Sequence, residues 1–442
     1  MSNSPLARAR RLVADTGPTW LAGAIAAGPA TMATLLTAGA TYGYTLLWVV
    51  VLSAVLGATA QYLSARLALP ADRGIVGLVE AHLGERWAWL LVADVVLAAG
   101  LAQLVIVRTV ADVTSVVTGL DSRVAGVGWA VVLAVGLAGR GYELAEVGAK
   151  LIVSAVVVAF VASLFVVPVD PGAAASGLVP TVPAGVSGAL LAAGILGGAV
   201  HVTLVTMQTY TVRARGWTAA DLPLARLDVG ASMLVAFGGY SLAIFLVTAA
   251  VLGGQTDLSP VSAAAALGPV AGPWAERLFL AGLLGAAVST LGGNTVVPPY
   301  LVAEKLGWGT DVSDPRYRGL LAGTALLSAL GVFVGGALFP LLALVLAFGL
   351  VGTPFALALV LVLLADEDAP GTLTAPTAVG GVVTLVVAVA TAGQFVASHA
   401  ATATTDPISA LVVGFAVVFG LATAVLCARA VRGGITGSAV GS

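Results

Sequence analysis

Long apolar stretches separated by short polar ones dominate the chain. Twelve runs can be marked, near positions 17–40, 44–69, 87–118, 124–139, 142–168, 186–212, 228–253, 275–303, 318–336, 338–364, 375–398 and 407–430. Most approach the roughly 20 residues that carry an α-helix across the hydrocarbon core. Polarity returns at any length only in Asp170–Pro183, Gly254–Pro273 and Leu306–Arg318, none of which could fold as a soluble unit. The pattern predicts an all-α polytopic membrane protein of about 12 transmembrane helices, with one transmembrane domain over 1–442 and a polar tail at 1–16.

Two runs are interrupted. The first carries Gly28-Pro29-Ala30-Thr31 at its middle. Proline lacks the amide hydrogen and clashes with the preceding turn, so a helix should break there. Broken backbone is tolerated at membrane depth only where it is buried in protein or lines a cavity. The sixth run holds Leu196-Gly197-Gly198-Ala199-Val200-His201, glycine-rich with a histidine at mid-depth. Interrupted helices in matching places, five runs apart, point to an inverted-repeat transporter. The repeats are expected at 17–168 and 186–364, with two additional helices at 375–430.

Composition narrows this further. The chain is 59% hydrophobic and 9% charged, with mean hydropathy +1.06. A net charge of -2 offers no basic face for a nucleic acid. The single cysteine, Cys427, excludes an internal disulfide framework and paired-cysteine metal or redox motifs. No P-loop, HExxH or nucleophile-elbow motif is present, so an enzyme is not expected, and neither is a cofactor. The first run is too long for a signal-peptide core and is read as retained. With the N-terminus inside, sixteen of the nineteen basic residues fall in inside loops or tails, which predicts both termini in the cytoplasm.

Candidate chemistry lies in a few buried polar residues. At the first break, carbonyls near Ile25 and Ala26 and the Thr31 hydroxyl would face a substrate; the alternative is a plain proline kink satisfied by its neighbours. His201 is the histidine placed deep in a run, where it serves a substrate, a metal or a proton, or is a core residue bonded to a carbonyl. Asp94 lies about two turns into the third run, at an insertion cost of about 2.5–3.5 kcal/mol. Either a proton or ion relay or a hydrogen bond to a neighbouring helix would account for it. Arg108, too far along the helix to reach Asp94, should snorkel outward or pair with Asp112 one turn on. Gln61 and Gln103 would line the cavity or join helices. Glu143, Glu146 and Lys150 read as an interfacial face.

The segment Gly39-Ala40-Thr41-Tyr42-Gly43-Tyr44-Thr45-Leu46-Leu47-Trp48, followed by Gln61-Tyr62-Leu63-Ser64-Ala65-Arg66-Leu67, resembles the NRAMP family of divalent-metal transporters. Ser289-Thr290 with Gly292 and Thr295, and Pro354-Phe355-Ala356, are similar to further family patterns. The resemblance implies the LeuT-type fold, alternating access, and a metal site between the broken parts of the first and sixth helices. Family members typically import manganese or ferrous iron with protons. The binding motifs depart from the family. Its Asp-Pro-Gly-Asn reads Gly28-Pro29-Ala30-Thr31 here. The register that matches Gly197 and Arg215 puts His201 on the Met of Met-Pro-His, Val202 on the Pro, and Thr203 and Gln208 on two histidine positions. Of the third-helix Asp-x-x-Glu-x-x-Gly, Asp94 and Gly100 remain and Leu97 replaces the Glu.

The expected function is therefore an NRAMP-like secondary transporter in a prokaryotic plasma membrane, moving a divalent cation, with protons as candidate co-substrate. Its site residues would be Gly28, Thr31 and His201, with backbone at Ile25 and Gly198. Asp94 is the candidate relay, and Thr203, Gln208 and Gln61 are candidate cavity lining. A relative carrying another solute, or a non-transporting binder on the same scaffold, is the alternative.

Overall fold

The computed structural model describes residues 17, 19, 23, 26–138 and 154–439, with side chains to 430. Ile25, Arg140, Glu143, Glu146 and Lys150 and the 1–16 tail lie outside the described residues. Fourteen principal helices follow in order: α1 Pro29–Tyr42, α2 Leu47–Ala68, α3 Ile75–Leu83, α4 Glu85–Thr118, α5 Ser122–Ala138, α6 Ser154–Ser163, α7 Val186–Ala199, α8 Val202–Ala214, α9 Ala219–Leu252, α10 Ala275–Lys305, α11 Pro315–Leu327, α12 Leu338–Ala365, α13 Ala375–Ala400 and α14 Pro407–Ala439. Each of the twelve apolar runs contains at least one of them. Eight stretches among the described residues are long and apolar enough to span a bilayer, with α7 and α8 counted together. The other four runs are shorter in the structure because they are interrupted or partly outside the described residues. The ninth, for example, changes to a tighter 3-10 winding at Ser328–Phe333.

Three features were not foreseen. The connection between the second and third runs contains α3, so His82 is helical and not in a loop. The 254–273 connection winds into short helical turns. Within α9, Gly230–Phe237 adopts the wider π-helical turn.

α1 opens with Pro29 at its first position, where a missing N–H costs nothing. It closes at Gly43, whose φ of 56° favours glycine. Midway, Gly39 lets α1 approach the second half of α9: a Cβ there would sit 2.9 Å from the Phe245 carbonyl oxygen. α12 is the central post. It is almost wholly apolar, buried along most of its length, and packs against α1, α4, α7, α13 and α14. α13 and α14 lie outermost and show apolar stripes such as Val379, Val382, Val386 and Val389, as lipid contact requires.

One end of the bundle is tied by charged and polar bonds. Glu304 at the end of α10 accepts from Tyr210 Oη at 2.5 Å and from the amide of Gly74, the residue before α3, at 3.2 Å. Lys305 pairs with Glu80 of α3 at 3.1 Å. Asp228 of α9 accepts from the amides of Gly17 at 2.9 Å and Thr19 at 2.8 Å, and Gln208 donates to Thr19 Oγ1 at 2.9 Å. Toward the opposite end, Arg108 meets Asp112 at 3.3 Å, as its spacing implied.

Candidate functional site between the two helix breaks

The first break occupies Ala27 and Gly28. The helical bond from the Ala27 amide to the Gly23 carbonyl (2.9 Å) is the last before it, and the bond from Met32 to Gly28 (3.1 Å) the first after it. Among the described residues two carbonyls are freed, and both accept a side-chain hydroxyl. Thr31 Oγ1 donates to Ala26 O at 2.5 Å, and Tyr240 Oη donates to Ala27 O at 3.3 Å. The Ala26 carbonyl, expected to face a substrate, gives one lone pair to Thr31 and borders the cavity between the breaks. The Thr31 oxygen keeps its lone pairs while its proton points away along the break.

The second break lies at Val200–His201, just past Gly198, which is still helical. His201 is extended (φ -75°, ψ 141°) and caps α8 with its own ring. Its Nδ1 accepts from the Thr203 amide at 3.3 Å and sits 2.7 Å from Thr203 Oγ1. An Nδ1 that accepts leaves the proton on Nε2, which faces α12 at Gly349. Thr353 Oγ1, from α12, lies 2.7 Å from the Val200 carbonyl and 2.9 Å from the Gly349 carbonyl of its own helix, and its one proton serves the shorter bond.

The breaks face each other. A Cβ on Gly198 would lie 2.8 Å from Thr31 Oγ1. Between them is a cavity of about 40 Å³ lined by Gly28, Thr31, Gly198, His201 and Thr203, closed on the far side by Thr290 and Asn294 of α10. That space exceeds the roughly 10–15 Å³ one water needs. Thr31, His201, Thr203, Thr290 and Asn294 are each more than nine-tenths buried. Neither carboxylate nor thioether belongs to the lining. Among the described residues no three His, Cys, Asp or Glu side chains are grouped to hold a metal ion.

Of the expected lining residues, Thr203 takes its place, whereas Gln208 and Gln61 do not reach the cavity. Gln208 bonds Thr19, as described, and Gln61 is buried in α2, with no hydrogen-bond partner for either amide atom among the described residues. Asp94 also lies outside the lining. It is fully buried, and neither carboxylate oxygen has a partner among the described residues, so the expected alternative of a helix-joining hydrogen bond is not found. Two glycines of α12 make room for the two titratable groups. A Cβ on Gly349 would overlap the His201 imidazole, and one on Gly352 the Asp94 carboxylate. These positions are three apart, hence about 5–6 Å between Cβ sites on one helix face. Thr353, Tyr240, Thr290 and Asn294 were missed as site residues because each lies on an unbroken helix with no signal of its own; the S-T and P-F-A patterns on α10 and α12 were the nearest pointers.

Two broken helices apposed around a small cavity, inside a bundle of apolar helices, are the arrangement of an integral membrane carrier. The sequence belongs to the Nramp family: the family's description, natural resistance-associated macrophage protein-like, matches residues 19–429. Relatives include a divalent metal cation transporter MntH of Mycobacterium tuberculosis, 30% identical over 325 residues, with 71% of this chain and 75% of that protein aligned. A MntH of Deinococcus radiodurans is 27% identical over 401 residues, covering 86% and 88%. The fold is similar to that of a manganese transporter from Eremococcus coleocola (TM-score 0.72, 15% identity, 98% and 97% of the chains covered). It is also similar to a nucleobase-cation-symport-1 transporter, Mhp1 (TM-score 0.55, 17% identity, 95% and 93% covered). These neighbours carry the LeuT-type architecture expected for this chain.

Proposed function

We propose that the protein is a secondary transporter that carries a divalent metal cation through the membrane by alternating access, with the substrate held between the break before α1 and the break between α7 and α8. The observation that carries this reading is the apposition of Gly28–Thr31 and Gly198–His201 around one cavity in a chain of the Nramp family. Family relatives named as divalent metal cation transporters support the substrate class. We assign the two halves 17–168 and 186–364 to inverted repeats, with 375–430 peripheral, and place the protein in a prokaryotic plasma membrane with both termini cytoplasmic, on the strength of the basic-residue asymmetry.

Thr31 and His201 are proposed to contact the cation or its water. Asp94 is proposed to exchange the coupling proton, because an unpartnered buried carboxyl group one helix turn from the His201 packing site is otherwise costly to keep. A second reading, a carrier of a solute other than a transition metal, is favoured by the lack of carboxylate and thioether in the lining. Uptake into proteoliposomes separates the two. Flux of Mn²⁺, Fe²⁺ or Mg²⁺ is expected, and neither flux nor binding of any divalent ion would remove the metal reading.

A further inference from the structure

The wall of the cavity opposite the two breaks is built from α10, and its polar atoms form an oriented chain. Thr295 Oγ1 donates to the Leu291 carbonyl at 2.6 Å. Gln103 Nε2, from α4, donates to Thr295 Oγ1 at 2.5 Å. That orientation leaves Gln103 Oε1 as an acceptor, and Asn294 Nδ2 donates to it at 3.0 Å. The second Nδ2 hydrogen goes to the Ala99 carbonyl at 2.8 Å. Both hydrogens of the Asn294 amide are thus spent away from the cavity, and the remaining pole, Oδ1, can only accept. One turn earlier, Thr290 Oγ1 is buried, lines the same cavity and has no hydrogen-bond partner among the described residues. A threonine in mid-helix ordinarily donates to the carbonyl four residues back, as Thr295 does. An unused hydroxyl against a space large enough for water or an ion is an open coordination position.

We propose that Asn294 Oδ1 and Thr290 Oγ1 are cation ligands, and that together with Thr31 Oγ1 they make the cavity a neutral, all-oxygen site for a hard divalent cation that keeps part of its water shell. This rests on the divalent-cation reading above and names the ion class within it. The chemistry follows from the donors. Amide and hydroxyl oxygens suit Mg²⁺ and Mn²⁺, whereas a thioether or thiolate selects softer ions. Mg²⁺ in particular sheds water reluctantly and is held with several waters in place. His201, whose Nδ1 caps α8, completes the wall and meets the ion through its retained water.

The test measures binding and proteoliposome uptake of Mg²⁺, Mn²⁺ and Cd²⁺ by the purified full chain and by Thr290→Val and Asn294→Ala. Thr290→Val keeps the shape of the side chain and breaks no hydrogen bond, so it removes only the open oxygen. The expected result is a loss of Mg²⁺ and Mn²⁺ affinity on the order of tenfold, a smaller loss for Cd²⁺, and a larger loss in Asn294→Ala. Wild-type affinity for all three ions in either variant overturns the ligand assignment, and an equal loss for Cd²⁺ overturns the hard-ion class. If the unaltered protein neither binds nor moves any of the three, the divalent-cation reading itself falls and the ligands with it.

Discussion

His201 and Gly349 compete for one volume: the imidazole lies where any β-carbon on residue 349 would have to be. The second helix break is therefore shaped by a glycine on α12 as much as by its own residues. Gly349→Ala should push the ring off Thr203 and unseat the cap of α8. Overpacking of this kind costs about 1–3 kcal/mol. Transport should fall sharply while the protein still inserts and purifies, which uptake assays beside a thermal melt would show.

The companion glycine acts on Asp94. Gly352→Ala should displace the carboxyl group and alter the response of uptake to pH more than the affinity for the ion. Asp94→Asn goes further. If the proton is co-transported, wild-type uptake rises as the outside pH falls, because the co-substrate becomes more abundant; the asparagine variant should be flat across the same range. A pH-dependent Asp94→Asn carrier would place the relay elsewhere.

Thr353 satisfies the Val200 carbonyl from a separate helix. Thr353→Val preserves shape and leaves that acceptor buried and unpaired, at a cost of about 1–3 kcal/mol. The melting temperature in detergent should drop accordingly. Thr353→Ser should restore it.

At the basic end, Tyr210–Glu304 and Asp228–Thr19 hold the two sides of the bundle together. Tyr210→Phe or Asp228→Asn should favour opening from that side. A cysteine introduced by Ala102→Cys in a Cys427→Ser background reports on it: labelling from the basic side should quicken in either variant, and unchanged labelling would show that these bonds do not gate access.

Asp314 caps α11 through the Arg316 amide at 2.9 Å. Its hydrogen bond with the Arg316 side chain holds the carboxyl well below the usual carboxylate range. A depressed carboxyl stabilises the folded state above its unfolded pKa and loses that contribution as pH falls through the folded one. Protection of the first-turn amides of α11, taken relative to an unstructured chain at the same pH, should therefore hold at neutral and mildly acidic pH and fall only below about pH 4. Asp314→Ala should show the lowered protection throughout.

The architecture was legible because hydrophobic length and proline are strong signals in a membrane. Gly28-Pro29 and His201 marked both breaks, and the run spacing paired them. The partners of the breaks were not legible. Tyr240 and Thr353 reach Ala27 and Val200 from more than 150 positions away along the chain, and an ordinary threonine or tyrosine within a helix carries no local mark of such a contact. Thr31 was correctly placed at the cavity, yet its proton serves the backbone and not the substrate. Asn294 was hidden for another reason: what distinguishes it is the direction of a hydrogen-bond chain that includes Gln103 on a different helix.

Every backbone acceptor named at the breaks is quieted by a side-chain hydroxyl of the protein itself, and the space they enclose bears no formal charge. An empty cavity of this sort can close without trapping an uncompensated ion or an orphaned carbonyl. The unloaded carrier then meets no electrostatic barrier from the cavity on its return stroke, and the one group that must be neutral for that stroke is Asp94, buried without a partner among the described residues.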